Sequence, residues 1–400
     1  MIEKARLYVE KYNRNSQELL LDFVLEEEFL YFKNYGDYST SMRLKESYEP
    51  TMLLVHNFPS IKAIHEGAIL TLDMKRLIEF RRYNISDNNN VSSLSATVFL
   101  EIQDGLHLAQ LINESNDGAV STKSTMEHTV HIESSWSGSP CTLESLSEHY
   151  NVSVWDVGQG NANCISDGAN LTIFDFGSSY YYSKMKQKSI VDAHINYING
   201  HKCISLIISH WDVDHYNLLC IVSDDFLKNL CCVFCPPTGI GLSIKQVMER
   251  IDKNCSFINT IASSPNSSHV VGIHEVCKGK FYNLYVGGKS KNKNLSGLLL
   301  SVHNDDSSVL FTADHSSHQI WNQLYRSCPN SKMLHIVVPH HGGNSGNSSI
   351  PSIVHPGIAA ISVGGNYYGH PTNTTLSAYK NAGFQLKRTD IIGSDITIRV

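Results

Sequence analysis

Leu206-Ile207-Ile208 reads as an apolar strand that runs straight into Ser209-His210-Trp211-Asp212-Val213-Asp214-His215, where imidazoles and carboxylates fill four of the six positions from His210 to His215. A strand that stops in a turn holds the side chains after it rigidly, and residues two apart on extended chain share a side. His210 and Asp212 can therefore share one metal ion while Asp214 and His215 turn toward a second. A solvated loop accounts for a single His-x-Asp pair; it does not account for this density of ligand types behind a buried strand.

The chemistry-bearing residues further along occupy the same kind of position. Val309 to Phe311 leads to Asp314, a carboxylate suited to bridging two ions, and Ile336-Val337-Val338-Pro339 leads to His340 and His341. Ile361-Ser362-Val363 leads through Gly364-Gly365-Asn366-Tyr367, expected to shape the substrate side, to His370. Upstream, Val152-Ser153-Val154 ends in Asp156 and a tight glycine turn, and Leu171 to Phe174 ends in Asp175. Those two carboxylates are expected to orient ligands by hydrogen bonds. The two strands are expected to pair as a hairpin. Loops at the C-terminal ends of strands converge on one rim of a sheet, which makes these residues candidates for one site.

Composition sets the surroundings. Four hundred residues exceed what one core usually serves, so two domains are expected. Residues 1–112 interleave charged and apolar residues with a period near two, including Phe29 to Phe32, and predict a smaller β-rich α+β domain. A Ser-, Asn- and Thr-rich stretch over 113–145, containing His128 and His131, predicts a linker or long loop, and 146–400 form the second domain. Helices are expected at 190–199, from Leu218 to Phe226, and at 242–253. The N-terminus carries an acidic residue and leads into no long apolar run, and no stretch reaches membrane-span length, so a cytoplasmic protein without a membrane segment is expected. The ten cysteines, Cys232 and Cys235 among them, read as small core residues of a reducing compartment. A formal charge of -6 excludes a protein that is basic all over, although Lys289, Lys291, Lys293 and Arg388 could form a local phosphate-facing rim.

The order of these motifs resembles the metallo-β-lactamase superfamily and, within it, the soluble C-terminal domain of the DNA-uptake channel protein ComEC. The resemblance covers residues 151–400. It is carried by Asp156-Val157-Gly158-Gln159-Gly160, His210 to His215, Ala313-Asp314, Val338-Pro339-His340-His341-Gly342, Gly369-His370-Pro371 and Arg388-Thr389-Asp390. It implies an α/β fold, an αββα sandwich with a dinuclear metal site at one edge of two packed sheets. It also implies metal ligands among His210, Asp212, Asp214, His215, Asp314, His340, His341 and His370. His210, Asp212 and one of His340 or His341 are expected at the first ion, Asp214, His215 and His370 at the second, and Asp314 between them; Asp214 and Asp314 take the catalytic roles. Asp212 stands where most of the superfamily has histidine, which shifts the site toward oxygen ligands, so the expected cofactors are two divalent metal ions, Zn or Mn. Asn161, Ala313 and Gly343 replace an acidic residue, a glycine and a serine. The separate histidine of many relatives has no clear match; His269, His274 and His303 are candidates. The membrane channel of ComEC is absent, so DNA transport is not implied.

The expected activity is metal-dependent hydrolysis through a metal-bound hydroxide, acting as a phosphodiesterase or nuclease on nucleic acid or a small nucleotide. A carboxyl-ester, lactone or amide hydrolase of the same fold is the alternative, and a non-catalytic binding or sensor protein a further one. The N-terminal domain is expected to contact a protein partner or a second copy, as in an effector of bacterial defence.

Overall fold

Ala5, Leu7 and Val9 of strand β1 (Lys4–Asn13) alternate with more exposed residues, and Leu19, Leu21 and Phe23 of β2 (Glu18–Phe23) answer them, so one face of this antiparallel pair is fully buried. β3 (Met52–Val55), β4 (Ile69–Asp73) and β5 (Phe99–Ile102) complete a five-stranded sheet in the order β4-β1-β2-β3-β5. Residues Phe29 to Phe32 are not a strand but part of the helix Glu26–Asn34. Three glutamates open it, where negative charge suits the helix N-terminus, and Phe29 and Phe32, three apart, both reach the core.

The computed structural model describes residues 2–34, 52–62, 64–79, 99–102, 108–109, 112, 146–264, 271–327, 333–346, 349–365 and 369–400. His107, His128, His131, His269, the expected linker and the Asn366-Tyr367 pair lie outside them. The structure divides into two compact units, one drawn from Met1–Thr129, Tyr182–Lys186 and Thr238–Glu249, the other from Val130–Tyr181, Gln187–Pro237 and Arg250–Val400. Thr238–Glu249 is distant in sequence from the rest of the first unit, yet Asp22 Oδ2 accepts hydrogen bonds from Ser243 N–H (3.0 Å) and Oγ–H (2.7 Å), and Leu242 joins the first core.

The second unit holds two seven-stranded sheets. One contains β6 (Asn151–Val154), β7 (Ala162–Ser166), β8 (Asn170–Phe176), β9 (Cys203–Ile207), β10 (Leu230–Cys235), β11 (Ile258–Thr260) and β19 (Ile396–Arg399), in the order β11-β10-β9-β8-β7-β6-β19. The other runs in sequence order from β12 (Ile273–Lys278) through β13 (Tyr282–Gly287), β14 (Leu298–His303), β15 (Ser307–Phe311), β16 (Met333–Val337) and β17 (Pro356–Ile361) to β18 (Gln385–Arg388). Phe174, Ile207 and Phe234 from the first sheet and Leu300, Val309 and Phe311 from the second share one core, so the sheets pack face to face. The run Leu298-Leu299-Leu300 is apolar throughout because both faces are covered: Leu298 and Leu300 enter the shared core, while Leu299 packs with Trp321, Leu324 and Tyr379 outside it. Parallel pairs such as β8–β9 need long crossovers, and the helix Lys184–Asn199 supplies that one. The result is an αββα sandwich.

Three sequence expectations are corrected here. β6 does not pair with β8; β7 lies between them and pairs with both. Its residues Ala162-Asn163-Cys164-Ile165-Ser166 look polar for a central strand, but all five are buried, because Asn163 hydrogen-bonds to Asn161 and to Phe174 O. Leu218 to Phe226 is not one helix but a 3-10 turn Asn217–Cys220 and a helix Asp224–Lys228, whose N-cap Ser223 starts a new segment. Cys203 and Cys231 are not free core thiols but a disulfide between neighbouring strands, with Cα atoms 5.8 Å apart. Cys232 and Cys235 are buried and unbridged, and burial pushes the Cys235 thiol up to about 12, so it stays a neutral packing residue.

His335 on β16 gives the fold a pH dependence. Its Nδ1 accepts a hydrogen bond from Ile358 N–H (3.0 Å), and burial, with Lys387 nearby, pushes the ring down to about 4. The unfolded ring titrates near 6.5, so between the two values the unfolded chain binds the extra proton. This contribution is complete above pH 6.5 and is lost as the pH falls toward 4. In urea titrations, wild type is expected to lose up to about 3 kcal/mol more than His335→Gln over that window; parallel losses would show that the ring is not held neutral.

Candidate metal centre

Every carboxylate and imidazole in this region lies at or just beyond the end of a strand in the second unit. Asp175 closes β8 with φ of 60°, the stretch from His210 to His215 follows β9, Asp314 follows β15, and His340 and His341 follow β16. Both of these histidines adopt left-handed backbone (φ 53° and 52°), a conformation that costs roughly 1–2 kcal/mol per residue and recurs at functional sites.

Asp175 is the fixed point. Fully buried, it accepts from Ser209 N–H (2.6 Å) and Ser209 Oγ–H (2.8 Å), from Asn161 Nδ2 (2.8 Å) and from His215 Nδ1–H (2.8 Å). Asn161 is a donor here, where a second carboxylate would face Asp175. Asp156 N–H donates to Asp395 Oδ1, and Asp395 in turn pairs with His194.

These bonds set the tautomers. Ser209 Oγ gives its one proton to Asp175, so at His210 Nδ1 (3.0 Å) it accepts. His341 Nδ1–H donates to Ser362 O (3.0 Å). His210, His215 and His341 therefore all present Nε2 inward, and each of these Nε2 atoms is buried without a hydrogen-bond partner. A buried nitrogen left so is costly unless something else binds it. Carboxylates face all three: His210 Nε2 lies 3.4 Å from Asp212 Oδ2, His215 Nε2 3.3 Å from Asp314 Oδ1, and His341 Nε2 3.4 Å from Asp214 Oδ2. That donor set, with its opposite faces tied to protein partners, fits a divalent ion.

The metal-competent groupings among the described residues are His210 with His215 and Asp314, and Asp214 with His215 and His341, the ligand atoms of each within 4.8 Å of one another. His341 thus stands with Asp214 and His215 rather than with His210. Of the other expected ligands, Asp212 faces His210, His340 Nδ1 lies 3.1 Å from Asp314 Oδ2, and the His370 ring sits 5.1 Å from that of His340. His274 and His303 fall in neither group.

The local field favours positive charge. Burial pushes the His215 imidazole down, but Asp175 and Asp314 outweigh it and hold the ring well above the usual histidine range. Burial likewise pushes the Asp314 carboxyl up, and His340 and His215 outweigh it and hold it well below. A pocket that stabilises a proton at Nε2 stabilises a metal ion there as well. His315, which sequence reasoning passed over although it adjoins Asp314, is different: burial, with His210 beside it, pushes it down to about 3, and its Nδ1–H donates to Thr312 O. It is a neutral wall of the site.

Glycines set the close approaches. A Cβ on Gly177 would lie 2.1 Å from Asp214 O, and one on Gly343 would lie 2.4 Å from His370 Cε1 and 2.7 Å from His340 Cδ2. Gly343 therefore makes room for His340 and His370 to meet. Ala313 takes φ of 44°, a conformation glycine adopts without strain.

No family model and no curated protein matches the chain. Among solved structures it is similar to Tm1679, a metal-dependent hydrolase of the beta-lactamase superfamily, at 12% identity and a TM-score of 0.37, covering 63% of this chain and 99% of that one. It is similar to the metallo-beta-lactamase fold protein YhfI from Bacillus subtilis (9%, 0.37, 63% and 100%) and to a diphosphatase from the PhnP family (10%, 0.34, 63% and 98%). The two facing sheets and their crossovers define the second unit as an αββα sandwich.

Proposed function

We propose that this chain is a metal-dependent phosphodiesterase or nuclease that binds two divalent ions, manganese or zinc, and hydrolyses nucleic acid or a small nucleotide. The observation that carries the reading is the set of three buried, inward-facing Nε2 atoms of His210, His215 and His341 set against Asp212, Asp214 and Asp314. Bound ions supply an activated water and offset charge on the scissile group. The chain's own residues do the rest: Asp175 and Ser209 orient the imidazoles, Asp214 would steer the attacking water, Asp314 would serve both ions, and His215 belongs to both ligand groupings. Phosphodiesters are favoured over carboxyl esters by the resemblance of the motif order to the ComEC-type domain and by the exposed Lys289 and Lys291 on the loop that carries Lys293 to the site's edge. The N-terminal unit contacts a protein partner or a second copy in this reading, and the protein acts without a membrane segment; among the described residues no helix is long and apolar enough to cross a bilayer.

The test is metal content by mass spectrometry on wild type and Asp214→Ala, with hydrolysis of bis-p-nitrophenyl phosphate and labelled single-stranded DNA under added manganese or zinc. Activity is expected to follow bound metal and to fall at least about a thousandfold in the variant. Metal binding without phosphodiester cleavage would move the substrate to acyl esters, and absence of metal would remove the catalytic reading.

A further inference from the structure

Of the three lysines near residue 290, Lys289 and Lys291 are exposed, whereas Lys293 turns inward. Its ammonium pairs with Asp212 Oδ1 and donates to Trp211 O at 3.2 Å. Asp212 is nearly buried, and its other oxygen, Oδ2, faces His210 Nε2. The carboxylate is thus divided, one oxygen toward the imidazole cluster and one held by a cation.

The lysine's placement is built into the fold. Lys293 opens the 3-10 turn Lys293–Leu295, whose N-cap Asn292 accepts from Asn294 N–H, and Leu298 N–H at the start of β14 donates to Ser209 O (2.8 Å). Gly297 permits this contact, because a Cβ there would lie 2.5 Å from Ser209 O. The loop that carries the lysine is therefore pinned to the residue next to His210.

We propose that Lys293 is a positioning residue that makes the Asp212–Lys293 pair the electrostatic equivalent of a neutral imidazole ligand. This deepens the metal-dependent reading above and rests on it. The Asp212 carboxylate adds one negative charge to a cluster that already holds Asp214, Asp314 and Asp175. The Lys293 ammonium returns that charge. By occupying Oδ1 it also leaves Asp212 a single oxygen to offer, as an imidazole offers a single nitrogen. Without it, Asp212 would turn its full negative charge toward the cluster and the site would hold a divalent cation too tightly, its charge less available to substrate.

The experiment is calorimetric titration of Mn²⁺ into the full chain after chelation, for wild type, Lys293→Met, Lys293→Arg, Asp212→Asn and Asp212→Asn with Lys293→Met. Lys293→Met is expected to bind Mn²⁺ at least about fivefold more tightly than wild type, since the Asp212 carboxylate loses its paired cation and turns its full charge toward the ion. Lys293→Arg keeps the charge and should match wild type. In the Asp212→Asn background, adding Lys293→Met should change affinity by less than about twofold, because the lysine acts through Asp212. Unchanged or weaker binding by a cooperatively melting Lys293→Met overturns the proposal, as does a shift that persists without Asp212. Should Lys293→Met not fold, Lys293→Gln makes the same comparison. The phosphodiesterase reading fails separately: a tighter Mn²⁺ site with no phosphodiester hydrolysis by wild type would sink that reading and leave this pairing intact.

Discussion

Asp175→Ala is expected to lower the melting temperature of the protein by roughly 10 °C and to weaken Mn²⁺ or Zn²⁺ binding by about ten- to a hundredfold, although Asp175 is not placed to touch an ion. The reason lies in what the carboxylate holds. It accepts from Ser209 N–H, Ser209 Oγ–H, Asn161 Nδ2 and His215 Nδ1–H, all buried. Removing one partner leaves four donors without an acceptor in a place water does not reach, at a combined cost on the order of 3–5 kcal/mol. His215 also loses the bond that fixes its tautomer, and Ser209 loses the acceptor that makes its hydroxyl an acceptor for His210. Thermal melting and calorimetric metal titration read the two effects independently. Wild-type metal affinity in a destabilised variant would show that the network serves the fold alone.

Gly177→Ala is expected to be as damaging with a single methyl group. Its Cβ would lie 2.1 Å from Asp214 O and 2.5 Å from His215 N, both backbone atoms that cannot rotate away. Gly177 N–H donates to Asn161 O, and Asn161 N–H donates to Asp214 O, so the three segments are locked together at this point. Relieving the clash moves Asp214 and His215 as a unit, away from Asp314 and His341. The expected result is a loss of several kcal/mol of stability, roughly the upper range for overpacking, and hydrolysis lowered by at least about a hundredfold through the displaced ligands. Gly272→Ala is the control, since a Cβ there meets nothing nearer than Gln323 Oε1 at 3.5 Å. Equal activity in the two variants would show that the contact at Asp214 tolerates displacement.

The residues that could bind metal were legible because chemistry that needs imidazole and carboxylate leaves few substitutes. His210, Asp212, Asp214, His215, Asp314, His340 and His341 each carry a ligand type at the end of an apolar run, a pattern visible along one chain. The strands of the second sheet were legible for a similar reason, since a run such as Leu298 to Val302 must be covered on both faces. What misled was local composition. β7 is too polar to read as a central strand until Asn163 finds Asn161 and Phe174 O, and Phe29 to Phe32 reads as extended until the two rings reach one core.

The sequence by itself determined which side chains can ligate and that they fall at strand ends, because ligand type and burial period are properties of neighbouring residues. Only the tertiary structure decided how they group: that His341 stands with Asp214 and His215, that Ser209 and Asp175 fix which ring nitrogen faces inward, and that Lys293, eighty-one positions beyond Asp212 in the chain, pairs with it. Those are distances between segments far apart in sequence, set by sheet order and by the glycines that let backbones touch, and no pattern along the chain encodes them locally.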